Sequence, residues 1–173
     1  MRARAGRAAL LTTVVIATAL SGCARHRLQD GIFRSEHGYR VTVPGPGWIV
    51  VDDSAADLEL RRADGQAGML AAATCRLTTT RQRPANLSRH LLLGLRERET
   101  LEDGDASLAG YRGVHQVVEG RMRDSRERVR IESYTVKDDR CVYDLLYVAP
   151  PAAFDASRAD FERFVTSFTA AQP

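Results

Sequence analysis

The stretch CVYDLLYVAPPAAFDASRADFERFVTSF, residues 141–168, passes from one kind of secondary structure to another through Ala149-Pro150-Pro151. Its first part, CVYDLLYV, reads as a strand, and FDASRADFERFVTSF reads as a helix with Asp155 or Ser157 as its cap. Asp160 is placed near the favourable N-terminal end of that helix's dipole. Phe161, Phe164, Val165 and Phe168 recur at i, i+3, i+4 and i+7, so they share one apolar face. Such a face has to be covered, and a sheet is the surface available.

Upstream, GVHQVVEG (113–120) and ERVRIESYTVK (127–137) read as two further strands, parted by the charged turns RMRDSR and DDR. With connections that short, the three strands form an antiparallel meander. Earlier still, DLELRRADGQAGMLAAATCRL (57–77) reads as a hairpin about Asp64-Gly65, and TTTRQRPA as a polar loop. A helix is predicted next, capped by Asn86, with Leu87, Leu91 and Leu95 on one face and an end between Thr100 and Gly104. GIFRSEHGYRVTVPGPGWIV (31–50) reads as a hairpin turning at His37-Gly38, broken by Pro44-Gly45-Pro46-Gly47 ahead of Trp48, which reads as a core or hairpin anchor. The predicted class is therefore α+β, a largely antiparallel β-sheet with two main α-helices packed on it.

At 173 residues, 44% hydrophobic and 27% charged, the chain has the size and composition of one folded domain with a small extra. Its formal net charge of +3 has a local origin. Arg2, Arg4 and Arg7 precede Cys23, and without them basic and acidic side chains are equal in number. The basicity is thus no argument for a nucleic-acid partner.

The N-terminus runs from basic MRARAGR through an apolar stretch of about thirteen residues to small residues at SGC, the layout of an export signal. That stretch falls short of the roughly 20 residues a membrane-crossing helix needs. Leu20-Ser21-Gly22-Cys23 resembles the lipobox of bacterial lipoproteins. The resemblance implies cleavage before Cys23 and a diacylglycerol on its sulfur, with enough acyl carbon for lasting membrane attachment. It divides the chain into a signal peptide (1–22), a lipidated N-terminus with a short tether (23–30) and a folded domain (31–170). Ala24 where an aspartate would retain the protein at the inner membrane implies the outer membrane in a Gram-negative cell, and otherwise the outer leaflet of the cell membrane.

YRVTVPGPGW near the start, the helix after the fourth strand region, and VYDLLYVAPPAAFDASRADFERFVTSF at the end together resemble the PsbP-like superfamily, which includes lipoproteins of the DcrB kind. The resemblance spans residues 30 to 170. Members include a photosystem accessory subunit and a Ran-binding nuclear import factor, so the fold carries no single function. It implies an accessory, non-enzymatic character.

The residues agree with that expectation. The chain contains no Gly-x-Ser-x-Gly, His-Glu-x-x-His, Gly-rich phosphate loop or Cys-x-x-Cys. His26, His37, His90 and His115 are scattered, with no zinc-site spacing, and no cofactor is predicted. Glu97, Glu99, Glu102, Asp103 and Asp105 read as a solvated charged face at a helix end and the loop after it. Cys75 and Cys141, in an oxidising compartment, allow one bridge, with two separate buried thiols as the alternative. Arg121, Arg123, Arg126, Arg128 and Arg130 are the densest charge feature of the mature chain. Arg126, Arg128 and Arg130 are predicted to point one way along a strand, opposite Val129 and Ile131. They read either as a solvated edge that discourages aggregation or as a patch for an anionic partner. Two functions follow as expectations. One is a membrane-anchored accessory module with an envelope protein partner; the other is a carrier of a small molecule or lipid in a cavity between sheet and helices.

Overall fold

The computed structural model describes residues 27–76 and 80–170. Leu20, Ser21, Gly22 and Cys23, with the tether as far as His26, lie outside the described residues. Two antiparallel sheets make up the body. The smaller has the order β1-β2-β3-β11 and comprises β1 (Leu28–Gln29), β2 (Ile32–Arg34), β3 (Tyr39–Thr42) and β11 (Thr169–Ala170). The larger is built from β4 (Trp48–Val50), β5 (Leu58–Arg62), β6 (Gly68–Thr74), β7 (Leu95–Leu108), β8 (Tyr111–Met122), β9 (Arg128–Lys137) and β10 (Val142–Ala149), in the order β4-β5-β6-β10-β9-β8-β7. Helices α1 (Pro84–Leu91) and α2 (Phe154–Thr166) pack on this larger sheet. The class is α+β, as the sequence predicts. Strand β1 falls inside the span read as tether, so the body begins a few residues earlier than expected.

Both predicted hairpin turns form. Gly38 and Gly65 take φ of 81° and 73°, the left-handed conformation these turns require. The Gln66 amide donates to the Asp64 carboxylate at 2.9 Å, closing the second turn. The meander gains β7 as a fourth strand. At its tightest point Gly113 is indispensable, because a Cβ there would lie 2.0 Å from the Thr135 carbonyl oxygen.

Register sorts the sheet's side chains onto two faces. From β10, Tyr143, Leu145 and Tyr147 face the same side as Leu58, Leu60, Met69 and Ala71. Phe154, Phe161, Phe164 and Val165 of α2 cover that side, joined by Phe33, Tyr39 and Val41 of the small sheet. Burying each phenylalanine contributes about 2–3 kcal/mol. The rings fill the space between α2 and the sheet, so the cavity a ligand carrier would use there is occupied by side chains. On the opposite face a smaller cluster, Val118, Val129, Ile131 and Leu146, packs with Leu91, Leu92 and Leu95.

Two helix expectations need correction. The first helix does not reach Thr100. It starts with Pro84 in its first turn, where a missing N–H costs nothing, and Arg83 rather than Asn86 occupies the cap position. It ends at Leu91, because Gly94 disfavours continuation and the residues beyond supply no second apolar face. Leu95, four residues after Leu91, belongs instead to β7, where it pairs with Met122. The carboxylates Glu97 to Asp105 therefore line an edge strand, not a helix end. In α2, Asp155 lies in the first turn without a capping bond, and Ser157 is buried inside the helix. Asp160, in mid-helix, accepts from Trp48 Nε1 at 2.9 Å, while Ser157 Oγ accepts from Arg62 Nη1 at 2.8 Å. These two bonds fasten α2 to the β4–β5 hairpin.

Candidate functional site

At one end of the large sheet the β6–β10 register, with Val142 opposite Thr74, brings Cys141 opposite Cys75. Their sulfurs are bonded at 2.03 Å. The adjoining turn is closed by Asp138, which accepts from the amides of Arg140 (2.7 Å) and Cys141 (2.6 Å) and from the Tyr143 hydroxyl (3.0 Å). Burial works to raise the Asp138 pKa, but the three donors outweigh it and hold the carboxyl below its usual value. Tyr143 is pushed up, by burial first and by Asp138 second.

Beside the disulfide, the tip of the β2–β3 hairpin brings Ser35 and His37 to Asp57. Ser35 Oγ donates to Asp57 Oδ2 at 3.0 Å, and His37 Nδ1 lies 3.1 Å from the same oxygen. The Ala73 amide also donates to it, at 3.1 Å. Serine, histidine and aspartate thus meet, but in the wrong order for nucleophilic catalysis. A relay places the imidazole between the other two, so that one ring nitrogen takes the serine proton and the second faces the carboxylate. Here the carboxylate is central and the serine proton is committed to it. The Ser35 hydroxyl meets the His37 ring at 3.5 Å through the nitrogen that already faces Asp57, and it accepts from the His37 backbone amide at 3.1 Å. The arrangement locks the hairpin onto β6. Asp57 lies 20 residues from His37 and 22 from Ser35, a separation no spacing rule anticipates.

Along the face beside α2, Glu132 is the most deeply buried carboxylate, with its side chain 2% exposed. Burial alone would raise its pKa. His115 Nε2 at 2.9 Å and Arg158 Nε at 3.0 Å reverse that and hold it low. The His115 ring lies tilted against Tyr134 with centroids 4.5 Å apart, and Arg158 also reaches Glu102 at 3.5 Å, so the node ties α2 across three strands. On the opposite face Asp144 has only the Thr135 hydroxyl, at 2.7 Å. Burial pushes its carboxyl up to about 6, against the smaller opposing effects of Thr135 and His90.

The five arginines singled out from the sequence separate into two groups. Arg128 and Arg130 lie on one face of β9, opposite Val129 and Ile131, and both bind Glu119 of β8. Arg128 Nε is 2.5 Å and Arg130 Nη2 3.0 Å from that carboxylate, whose pKa they hold low. Arg126 does not share their face, because β9 begins only at Arg128 and Arg126 occupies the preceding turn with φ of 61°. Arg121, Arg123 and Arg126 instead line a surface cleft of about 410 Å³ with Arg96, Glu97 and Met122. Arg121 Nε pairs with Glu97 at 2.9 Å. Arg123 donates its amide to the Gly94 carbonyl at 2.8 Å and its Nη2 to the Leu93 carbonyl at 3.3 Å. Leu93, whose backbone carbonyl accepts that bond, leaves its side chain 62% exposed. Arg96 and Leu93 escaped the sequence reading because both were assigned to a helix that ends before them.

Among solved structures, the chain is similar to the cyanobacterial PsbP of Synechocystis sp. PCC 6803, with a TM-score of 0.58 and 13% identity over 92% of this chain and 98% of that one. The fold is PsbP-like. The PsbP-like body is also similar to LpqN, involved in cell envelope biogenesis of Mycobacterium tuberculosis, with a TM-score of 0.58 and 12% identity over 80% of this chain and 87% of that one. A protein of unknown function from Pseudomonas aeruginosa aligns with a TM-score of 0.52 and 9% identity, over 82% of this chain and 96% of that one. No protein-family model matches the chain, and no curated protein matches it. Identities this low establish the shared PsbP-like architecture and nothing finer.

Proposed function

We propose that the mature protein begins at Cys23, is held to a membrane of the cell envelope by lipid on that residue, and acts there as a non-enzymatic accessory module that binds another envelope protein. The observation that carries this reading is the lipobox-like Leu20-Ser21-Gly22-Cys23 placed a few residues ahead of a PsbP-like body. LpqN, with the same architecture, is a protein of cell envelope biogenesis. A non-enzymatic role is supported by the order of Ser35, His37 and Asp57, whose serine proton is committed to the carboxylate. By the lipobox resemblance, Ala24 assigns the protein to the outer membrane where the cell has two membranes.

Metabolic labelling with an alkyne analogue of palmitate tests the anchor. The full chain is expected to take up label and to partition into detergent, and Cys23→Ala is expected to do neither. Equal labelling of both forms would overturn the anchor. Mild crosslinking of the same two strains tests the accessory role. A specific envelope protein captured by the anchored form supports it, and a body that stays monomeric throughout overturns it.

A further inference from the structure

We propose that the arginine-lined cleft at the β8–β9 turn is a docking site for an acidic segment of a partner protein, presented at the end of the body opposite the tether. Position is the first support. In the β8–β9 register Arg112 faces Lys137 at one end of the sheet and Arg121 faces Arg128 at the other. At about 3.3 Å per residue, those ends stand about 30 Å apart. The N-terminal side of the body belongs to the first end. Arg27 bonds to Arg34 and approaches Glu36, and Glu36, His37 and Gly38 line a cleft with Cys75 and Cys141. Four peptide steps from Cys23 to Arg27 reach at most about 14 Å. A body standing on that tether holds the arginine cleft well beyond the roughly 8–10 Å over which headgroup charge is felt. Held upright, the body presents the cleft to a protein and not to the anchoring bilayer, an argument that rests on the proposed lipid on Cys23.

Chemistry is the second support. Four guanidinium groups, those of Arg96, Arg121, Arg123 and Arg126, line the cleft with one carboxylate, Glu97. Glu97 pairs with Arg121. Arg123 spends its guanidinium on a backbone carbonyl, which leaves its charge uncompensated. Guanidinium forks suit carboxylates, which they can hold through two parallel hydrogen bonds. Leu93, whose backbone carbonyl takes the Arg123 guanidinium, offers an exposed apolar side chain near the charges. Charge for attraction and one exposed apolar side chain for register make a surface suited to an acidic segment that carries an apolar side chain.

The test uses the chain from Ala24 to Pro173, which keeps every described residue and the disulfide and lacks the lipidated cysteine. A fluorescein-labelled peptide of about a dozen residues, rich in Glu and Asp around one leucine, is titrated by anisotropy at about 50 mM salt. Binding is expected, weakened about tenfold or more by the double variant Arg123→Gln/Arg126→Gln. Arg130→Gln, whose guanidinium sits on Glu119, is expected to bind as the parent does. Leu93→Ser is expected to weaken the leucine-containing peptide and to leave an all-acidic peptide unaffected. No binding, or binding indifferent to Arg123 and Arg126, overturns the proposal. So does retention of the body on vesicles of phosphatidylglycerol and phosphatidylcholine as tight as on the peptide, which would assign the cleft to a lipid surface. Failed palmitate labelling with peptide binding intact would overturn the anchor and leave the acidic partner standing.

Discussion

At the disulfide end of the large sheet, polar side chains are consumed by their neighbours. Asp57 takes three donors, Asp138 takes three, and Cys75 is bonded to Cys141. At the arginine end, some 30 Å away by strand rise, the density of charge is as high and its use is different: the arginines of the turn meet backbone carbonyls or line a cleft, and Leu93 is left in solvent. One end spends its chemistry on holding the chain, the other keeps it for something outside. Substitutions should therefore change stability at the first end and binding at the second.

The largest effect expected is at the disulfide. Cys75 and Cys141 are 66 residues apart in sequence, and constraining a loop of that length in the unfolded chain stabilises by about 4 kcal/mol. The double variant Cys75→Ser/Cys141→Ser is expected to lower the urea midpoint accordingly, and a reducing agent to do the same to the parent protein. If both changes cost under about 1 kcal/mol, the first end is not held by its bridge. Next comes Asp57→Ala, which strips an acceptor from Ser35, His37 and the Ala73 amide. A loss of about 2 kcal/mol is expected in the same titration. A variant as stable as the parent would mean that the hairpin tip is held by packing alone.

How far this contrast could be read from sequence depends on the range of the interactions involved. Local signals carried well: His37-Gly38 and Asp64-Gly65 form the turns their chemistry demands, and the phenylalanines of α2 fall on one buried face. Register did not carry, because it is set by pairing across the sheet. Leu87, Leu91 and Leu95 satisfy a helical period, yet Leu95 finds Met122 across a strand pair. That single competition moved the residues from Arg96 to about Thr100 from helix to edge strand and hid the place of Arg96 and Glu97 in the arginine cleft. Asp57 was likewise invisible, its partners being gathered from β6 and from a turn 20 residues away. The five arginines were legible as a charge feature, but only Glu119, reached through the β8–β9 register, shows that two of them are already paired with one carboxylate.

Asp144 sharpens the comparison, since it lies near the bonded end and is the group there least well provided for. Its folded carboxyl, pushed up to about 6, holds its proton more tightly than an unfolded aspartate does. Ionisation therefore disfavours the fold: this group's contribution is most favourable below about pH 4 and is lost as the pH rises through about 6. Asp144→Asn keeps an oxygen for the Thr135 hydroxyl and cannot ionise. It is expected to stabilise the protein by about 1–2 kcal/mol at about pH 7.5, with the gain disappearing near pH 4. Thermal unfolding at the two pH values measures this directly. A variant less stable at both would show that the carboxylate has an ionic role the fold depends on.

The smallest effect is expected at Arg126, and its smallness is the point. A non-glycine residue at φ of 61° carries about 1 kcal/mol of backbone cost, which Arg126→Gly relieves while giving the unfolded chain more freedom. The two nearly cancel, so stability should move by no more than about 0.5 kcal/mol. The guanidinium disappears all the same. A protein as stable as the parent with a weakened grip on acidic peptide would separate the two ends cleanly, because the same size of change at Asp57 costs folding and not binding. A loss above about 1 kcal/mol would instead make Arg126 part of the scaffold, through the contact between its carbonyl and Arg121, and the arginine end would have to be counted with the bonded one.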